Sequence, residues 1–202
     1  MKKIDTVTLD DMIEQIKSCD ICQPYLPYRV KPIVQLNPHA RILIASQAPG
    51  RRAHESGISF DDPSGERLRY WLGIDRKQFY DASKIAILPM GFCYPGKGKT
   101  GDLPPRKECE PAWRVPILQQ LPNIELTLVI GQYAQAYHLG AKHDNVTNNV
   151  QNWQDYWPDI LPLPHPSPRN IFWFKRNPWF ENELIPILQQ RVAQILQHGF
   201  QE

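Results

Sequence analysis

The 202-residue sequence contains no long uninterrupted apolar run, so nothing in it reads as a membrane-crossing helix or a secretory leader. The opening Met1-Lys2-Lys3-Ile4-Asp5 is polar, and the expectation is a cytoplasmic, nucleoid-associated monomer with no membrane partner. Charge of one sign is also scarce: 23 Lys and Arg against 21 Asp and Glu leave a net charge of +2. That balance does not mark a nucleic-acid binder, so any basic face has to arise from local clustering. Internal repeats and low-complexity tracts are absent, which excludes solenoids and long linkers. Cysteine is limited to four residues, and in a cytosolic chain four thiols bind metal or stay free rather than form a disulfide framework.

Proline is what the sequence has in excess: there are 20, about twice the usual share. Pro95, Pro104, Pro105, Pro162, Pro164, Pro166 and Pro168 are expected in loops. Stiff loops suit recognition, because little ordering entropy is lost on binding. A hydrophobic fraction of 42% and a charged fraction of 22% are those of a globular protein, and the length suits one domain over 1–202.

Four apolar segments read as strands: Arg41–Ala45, Lys84–Leu88, Leu126–Ile130 and Ile160–Leu163. Near-continuous apolar strands point to a parallel sheet buried on both faces. Helical patterns lie between them, at Gly65–Leu72, Cys109–Leu121 and Tyr133–Leu139, with flanking helices at about Leu9–Lys17 and Asn182–Gln197. The last carries Leu184, Ile187, Leu188, Val192, Ile195 and Leu196 at helical spacing. The alternation predicts a three-layer α/β/α sandwich with a central, mainly parallel four-stranded sheet. Ligands in such sheets bind beyond the carboxyl ends of the strands. Three of those ends lead into distinctive loops: Ser46-Gln47-Ala48-Pro49-Gly50, Pro89-Met90-Gly91-Phe92-Cys93 and His165-Pro166-Ser167-Pro168-Arg169-Asn170.

Cys19 and Cys22 form a C-x-x-C at the end of the first helix, and fifteen residues separate Cys93 from Cys109. Four thiolates can close around an iron–sulfur cluster or a tetrahedral zinc ion, and spacing alone does not separate the two.

With these features the chain resembles the iron–sulfur-containing bacterial and archaeal uracil-DNA glycosylases, from about Ile16 to Val192. That family has a C-x-x-C and two later cysteines at the same fifteen-residue gap; the resemblance implies a [4Fe-4S] cluster on Cys19, Cys22, Cys93 and Cys109. Its first motif, G-E-A-P-G or G-L-A-P, corresponds to Ser46–Gly50. T-G-x-P-F followed by G-D-x-S-G corresponds to Ser56–Phe60 and Asp62–Gly65. The late H-P-S is His165-Pro166-Ser167, and the longer string through Asn170 is similar to a loop of single-strand-selective monofunctional uracil-DNA glycosylases. The departures fall in the same motifs. Gln47 stands where one branch has Glu, Ala48 where the classical enzymes have Asp, and Pro89 where an Asn often reads uracil.

The implied chemistry is cleavage of an N-glycosidic bond in a flipped-out nucleotide. It needs negative charge near a sugar with oxocarbenium character and donors for the departing base. Asp62 is the expected sugar-side acid, although consecutive acids before Pro-Ser-Gly also make a turn and helix cap. Asp61 and Glu55 are its nearest substitutes. His165 is the expected donor to the base, Phe60 the platform beneath it, and Gln47 a contact to base or water. Arg169 is expected to fill the space the base vacates, with Ser167, Asn170, Lys97, Lys99 and Arg51 on DNA. Arg52, Arg106, Lys175 and Arg176 complete the expected basic rim. Trp153, Trp157, Trp173 and Trp179 are expected to pack. No lysine is placed for Schiff-base chemistry, so a monofunctional glycosylase acting on DNA with a deaminated or otherwise damaged base is the leading expectation. A glycosylase for a different lesion and a non-catalytic damage-binding protein stand beside it.

Overall fold

The computed structural model describes residues 7–140 and 145–197, so the polar opening Met1–Asp5 lies outside the described residues. Four strands build one sheet: β1 (Ile42–Ala45), β2 (Ile85–Ile87), β3 (Leu126–Ile130) and β4 (Ile160–Leu163). Their order is β2-β1-β3-β4, and every pairing is parallel. The chain moves outward from β1 to β2 and then returns to the other side of β1 with β3. The topological switch therefore falls between β1 and β3, where an open parallel sheet leaves a crevice at its carboxyl edge.

Alternate residues of each strand face opposite layers, which is the period-two geometry of a strand buried on both sides. Ile42 and Ile44 point with Ile85, Ile87, Leu126 and Leu128 into one core. That core is closed by α3 (Pro63–Leu72), through Leu68, Trp71 and Leu72, and by α9 (Ile185–Gln197), through Leu188, Val192 and Ile195. Leu43, Ala86 and Leu88 point the other way, onto Leu9 and Ile16 of α1 (Leu9–Lys17) and Ile117 of α5 (Val115–Gln119). The expected three layers are thus present. Trp153, Trp157, Trp173 and Trp179 pack against the first core, as expected.

Two expected features differ in detail. Pro162 is in β4 rather than in a loop, and this is possible because β4 is an edge strand that pairs only with β3. A proline there costs no ladder bond on the open side. The helices expected over Cys109–Leu121 and Asn182–Gln197 each begin with a π-helical turn, Glu110–Arg114 and Phe180–Leu184. Pro116 and Pro186 sit just after those turns and have no N–H to donate to the regular ladder, so the first turn widens. Short helices α2 (Arg51–Ser56), α4 (Arg76–Phe79), α7 (Val146–Gln151) and α8 (Ile171–Arg176) fill connections that showed no long periodicity, and α6 (Gly131–Leu139) follows β3 directly. Among the described residues no helix is long and apolar enough to cross a membrane.

Candidate active site

The loops leaving β1, β2 and β4 meet at the carboxyl edge around a cleft of about 650 Å³. Gln47, Phe60, Asp62, His165, Ser167, Arg169, Asn170 and Arg51 all line it, so eight residues singled out from the sequence share one cavity. Backbone bonds join the first two loops: Met90 N–H donates to Ser46 O at 2.7 Å and Gly91 N–H to Gln47 O at 3.0 Å. The β2 exit is held from behind by Arg114, which donates to the Leu88 and Pro89 carbonyls at 3.2 and 3.1 Å. Arg114 is only 2% exposed and also lies 2.6 Å from His138 Nε2, which must therefore accept. Pro89 lines the cleft where a base-reading amide was missing from the sequence.

Phe60 is the one non-glycine among the described residues with a left-handed backbone, at φ 56°. A bulky residue in that region costs on the order of 1–3 kcal/mol and persists only when its surroundings hold it. They do so here. Tyr80 Oη donates to Ser59 O at 2.8 Å, and Asp61 on the other side is paired with Arg76 at 2.9 Å. The Phe60 ring lies edge-on to Phe79 at 6.1 Å. Gly65 lets α3 start hard against this bend: a Cβ there would lie 1.8 Å from the Phe60 carbonyl oxygen.

Asp62 is placed so that neither reading raised by the sequence is excluded. It is the N-cap of α3, with Oδ1 accepting from Gly65 N–H at 2.9 Å, and it faces the cleft. Its two substitutes are committed elsewhere. Asp61 serves Arg76, whose guanidinium holds the Asp61 carboxyl below the ordinary carboxylate range. Glu55 is paired with Arg51 at 2.8 Å, and neither Asp61 nor Glu55 lines the cleft. A carboxylate overlooked in the sequence, Asp102, does line it. It sits in the tight turn Gly96–Leu103, whose ends are joined by Leu103 N–H donating to Gly96 O at 2.8 Å. Nothing in the local sequence marks Asp102, because the turn folds back on the cleft across the sheet edge. Gln47 reaches the same turn, with Nε2 donating to Leu103 O at 3.1 Å.

His165 leaves β4 with its tautomer set by its own loop. Ser167 N–H donates to Nδ1 at 3.1 Å, so in the neutral ring the proton is on Nε2. Asn170 Nδ2 donates back to His165 O at 2.8 Å, and Arg67 supports the Pro166 and Ser167 carbonyls at 3.2 and 3.3 Å. Burial pushes the imidazole pKa down from its ordinary value; the carboxylates of Asp62 and Asp102 oppose that shift, and Arg169 reinforces it. Two negative groups and one positive group thus act on the ring.

Arg169 is exposed and crosses Gly101, its Nη1 2.9 Å from where a Cβ on that glycine would lie. Beyond Asn170, Ile171 and Phe172 are exposed apolar side chains that the sequence alone did not single out. Lys97 and Lys99 are exposed on the Gly96–Leu103 turn, beside the cleft rather than in its lining. Arg51 is tied to Glu55, and Arg106 faces Tyr25 and Glu108 instead of joining the rim. Lys175 and Arg176 fall in α8 and do not line the cleft; Arg52 does.

The four cysteines gather where the end of α1 meets the β2 exit. Cys22, Cys93 and Cys109 are buried, and Cys19 is partly exposed. Cys22 is within hydrogen-bonding reach of Cys109, and the charge of each thiolate would be felt by the others. Backbone N–H groups of Lys31 and Phe92 donate to the sulfurs of Cys93 and Cys109. Burial pushes those two thiols up to about 11 and about 12. Among the described residues no group of three or more His, Cys, Asp or Glu stands at single-ion distance. The donor set, four mutually close thiols with N–H support, fits a group that takes thiolates.

These features define an open parallel α/β protein with a ligand cleft at the switch of its sheet. The family model for the uracil DNA glycosylase superfamily matches residues 33–189, and the chain belongs to that superfamily. The match spans the whole sheet and Cys93 and Cys109, and it begins after Cys19 and Cys22. The chain is also similar to a solution NMR structure of a candidate uracil DNA glycosylase from Methanosarcina acetivorans. The two are 14% identical, with 80% of this chain and 97% of that one covered, at a TM-score of 0.47.

Proposed function

We propose that this protein is a monofunctional DNA glycosylase that extrudes a deaminated base, uracil first among them, and hydrolyses its N-glycosidic bond. The observation that carries the reading is that His165 shares the switch-point cleft with two carboxylates that act on its ring. Its Nδ1 is occupied by Ser167 N–H, so the neutral ring has Nε2–H to donate to a base oxygen as negative charge builds there. Asp62 and Asp102 line the same cleft and supply negative charge toward a sugar acquiring positive charge. The strained Phe60 offers a fixed ring face for an extruded base. Gln47 Nε2 is held by Leu103 O, so its amide oxygen is the part that serves a water or the base. Among the described residues no lysine lines the cleft.

Arg169, with exposed Ile171 and Phe172 behind it, is suited to occupy the duplex where the base has left, while Ser167, Asn170, Lys97, Lys99 and Arg51 meet phosphates. A second reading, excision of a different lesion, is favoured by Pro89, which puts an apolar ring where an amide would select uracil. The protein would act as a cytoplasmic, nucleoid-associated monomer on DNA. Cys19, Cys22, Cys93 and Cys109 would hold a [4Fe-4S] cluster that ties α1 to the β2 exit and contributes stability rather than chemistry. Stoichiometric zinc without iron in anaerobically prepared protein would replace the cluster by a zinc site.

The deciding experiment is abasic-site formation on a panel of single- and double-stranded oligonucleotides carrying one lesion each. Uracil release supports the first reading, release of only another base supports the second, and binding without release of any base refutes both.

A further inference from the structure

A second cavity, of about 690 Å³, lies beside α2 and shares only Arg51 with the cleft. Its wall is a cluster of three rings. Tyr28 and Tyr94 stack at 5.7 Å and 23°, and His54 lies 5.5 and 5.9 Å from them. Tyr94 is buried at 2% exposure and backs the cluster, whereas Tyr28 is 46% exposed at the mouth.

Four cations line the cavity, Lys17, Arg29, Lys31 and Arg51, against the single carboxylate of Glu55. Three of them have work within the fold. Lys17 is paired with Glu14 at 2.7 Å and Arg51 with Glu55 at 2.8 Å. Lys31 closes the end of α2 by donating to His54 O and Glu55 O at 2.7 and 3.1 Å. Arg29 has no partner among the described residues, and His54 Nδ1 is buried with none.

We propose that this cavity is a second nucleotide-binding site, which takes a base against the Tyr28–His54–Tyr94 wall and its phosphate on Arg29. The pairing of features selects that chemistry. A neutral sugar would use the rings but not the cationic surplus, and an acidic peptide would use the cations but not a flat aromatic wall. A nucleotide uses both, and the volume lies in the range that encloses a small ligand. Stacking on the exposed Tyr28 ring needs no particular base. Two sources share this chemistry: a nucleotide of a DNA strand whose reacting unit lies in the cleft across Arg51, or a free mononucleotide.

The site goes beyond base excision, so it is tested with lesion-free ligands: single-stranded oligonucleotides and deoxyadenosine monophosphate, titrated into the full chain. Tyr28→Ala should weaken binding by about 5- to 100-fold, the scale of one lost base stack, and Tyr28→Phe should restore it. Arg29→Gln should reduce the salt dependence of single-strand binding by about 0.7 in logarithmic slope. Both residues are exposed, and thermal melting checks that the variants stay folded. Weakening confined to oligonucleotides identifies the strand as the source, and weakening confined to the mononucleotide identifies the free ligand. Unchanged affinity for both ligands in both variants would overturn the site. Because no lesion is present, that failure is separate from a failure to excise any base.

Discussion

Gly65→Ala is the smallest change that reaches the centre of the cleft. The added methyl would lie 1.8 Å from the Phe60 carbonyl oxygen, 2.7 Å from its carbon and 2.8 Å from its Cβ. Ordinary carbon–oxygen contact begins above 3 Å, so α3 and the bend at Phe60 must separate by more than about 1 Å. Two features are lost together. The Gly65 N–H that Asp62 Oδ1 accepts is displaced, and the φ 56° conformation of Phe60 loses the helix end that confines it. Overpacking of this kind costs typically ~1–3 kcal/mol, so a fall in Tm of several degrees is expected. A displacement of about 1 Å at a reacting centre costs about 100-fold in rate, so single-turnover excision should fall far more than stability does. Glu66→Ala, at the next and exposed position of α3, is the control and should behave like the parent. Excision by Gly65→Ala at the parental rate, on a substrate the parent cleaves, would refute the claim that the bend positions the base platform.

Asp62→Asn keeps a side chain that caps helices well but removes the charge, so excision should drop by about 10²–10³ with little change in Tm. Single-turnover excision by Asp62→Asn at the parental rate would mean that Asp62 only caps. Asp102→Asn should lower the single-turnover rate without altering affinity for lesion-free DNA, and an unchanged rate would remove it from the site. Arg169→Ala should shorten the lifetime of the extruded state with little effect on the salt slope, whereas Lys97→Ala or Lys99→Ala should lower that slope by roughly one unit per lost phosphate contact. Burial, assisted by Arg114, pushes His138 down to about 3 from its unfolded 6.5, so the unfolded chain binds the extra proton between those values. Stability is therefore complete above pH 6.5 and falls as the pH drops, by ~2 kcal/mol at pH 5, and His138→Gln should flatten that loss in denaturant melts.

The strands were legible because both faces of each are buried, and a run such as Ile42–Ala45 has to be apolar throughout. The cleft was legible where chemistry and loop coincide, as at His165–Asn170. Asp102 was not, because a residue fifteen positions beyond the end of β2 reaches the cleft only through the fold. The strain at Phe60 was also invisible, since a left-handed phenylalanine leaves no compositional mark. The short helices α2, α4, α7 and α8 span four to six residues, too few for a period to repeat. The π-turns, by contrast, could have been suspected from Pro116 and Pro186 inside the two longest helical patterns.

The missing carboxylate of the first motif is best understood through what replaces it. Gln47 and Ala48 leave the β1 exit without charge, yet the cleft is not short of negative groups. Asp62 comes from the start of α3 and Asp102 from the turn after β2, and both act on His165 from its surroundings. A carboxylate that also caps a helix is fixed by that bond and costs little reorganisation when charge develops before it. Its second oxygen can face the cleft while Oδ1 accepts from Gly65. The structural reading of Asp62 and the chemical one are therefore not alternatives. The cap fixes the position, and under the proposed function the position makes the charge useful to the sugar. The same holds for His165, whose bond from Ser167 N–H shapes the loop and fixes which nitrogen donates. In this cleft the loop geometry supplies what the first motif lacks.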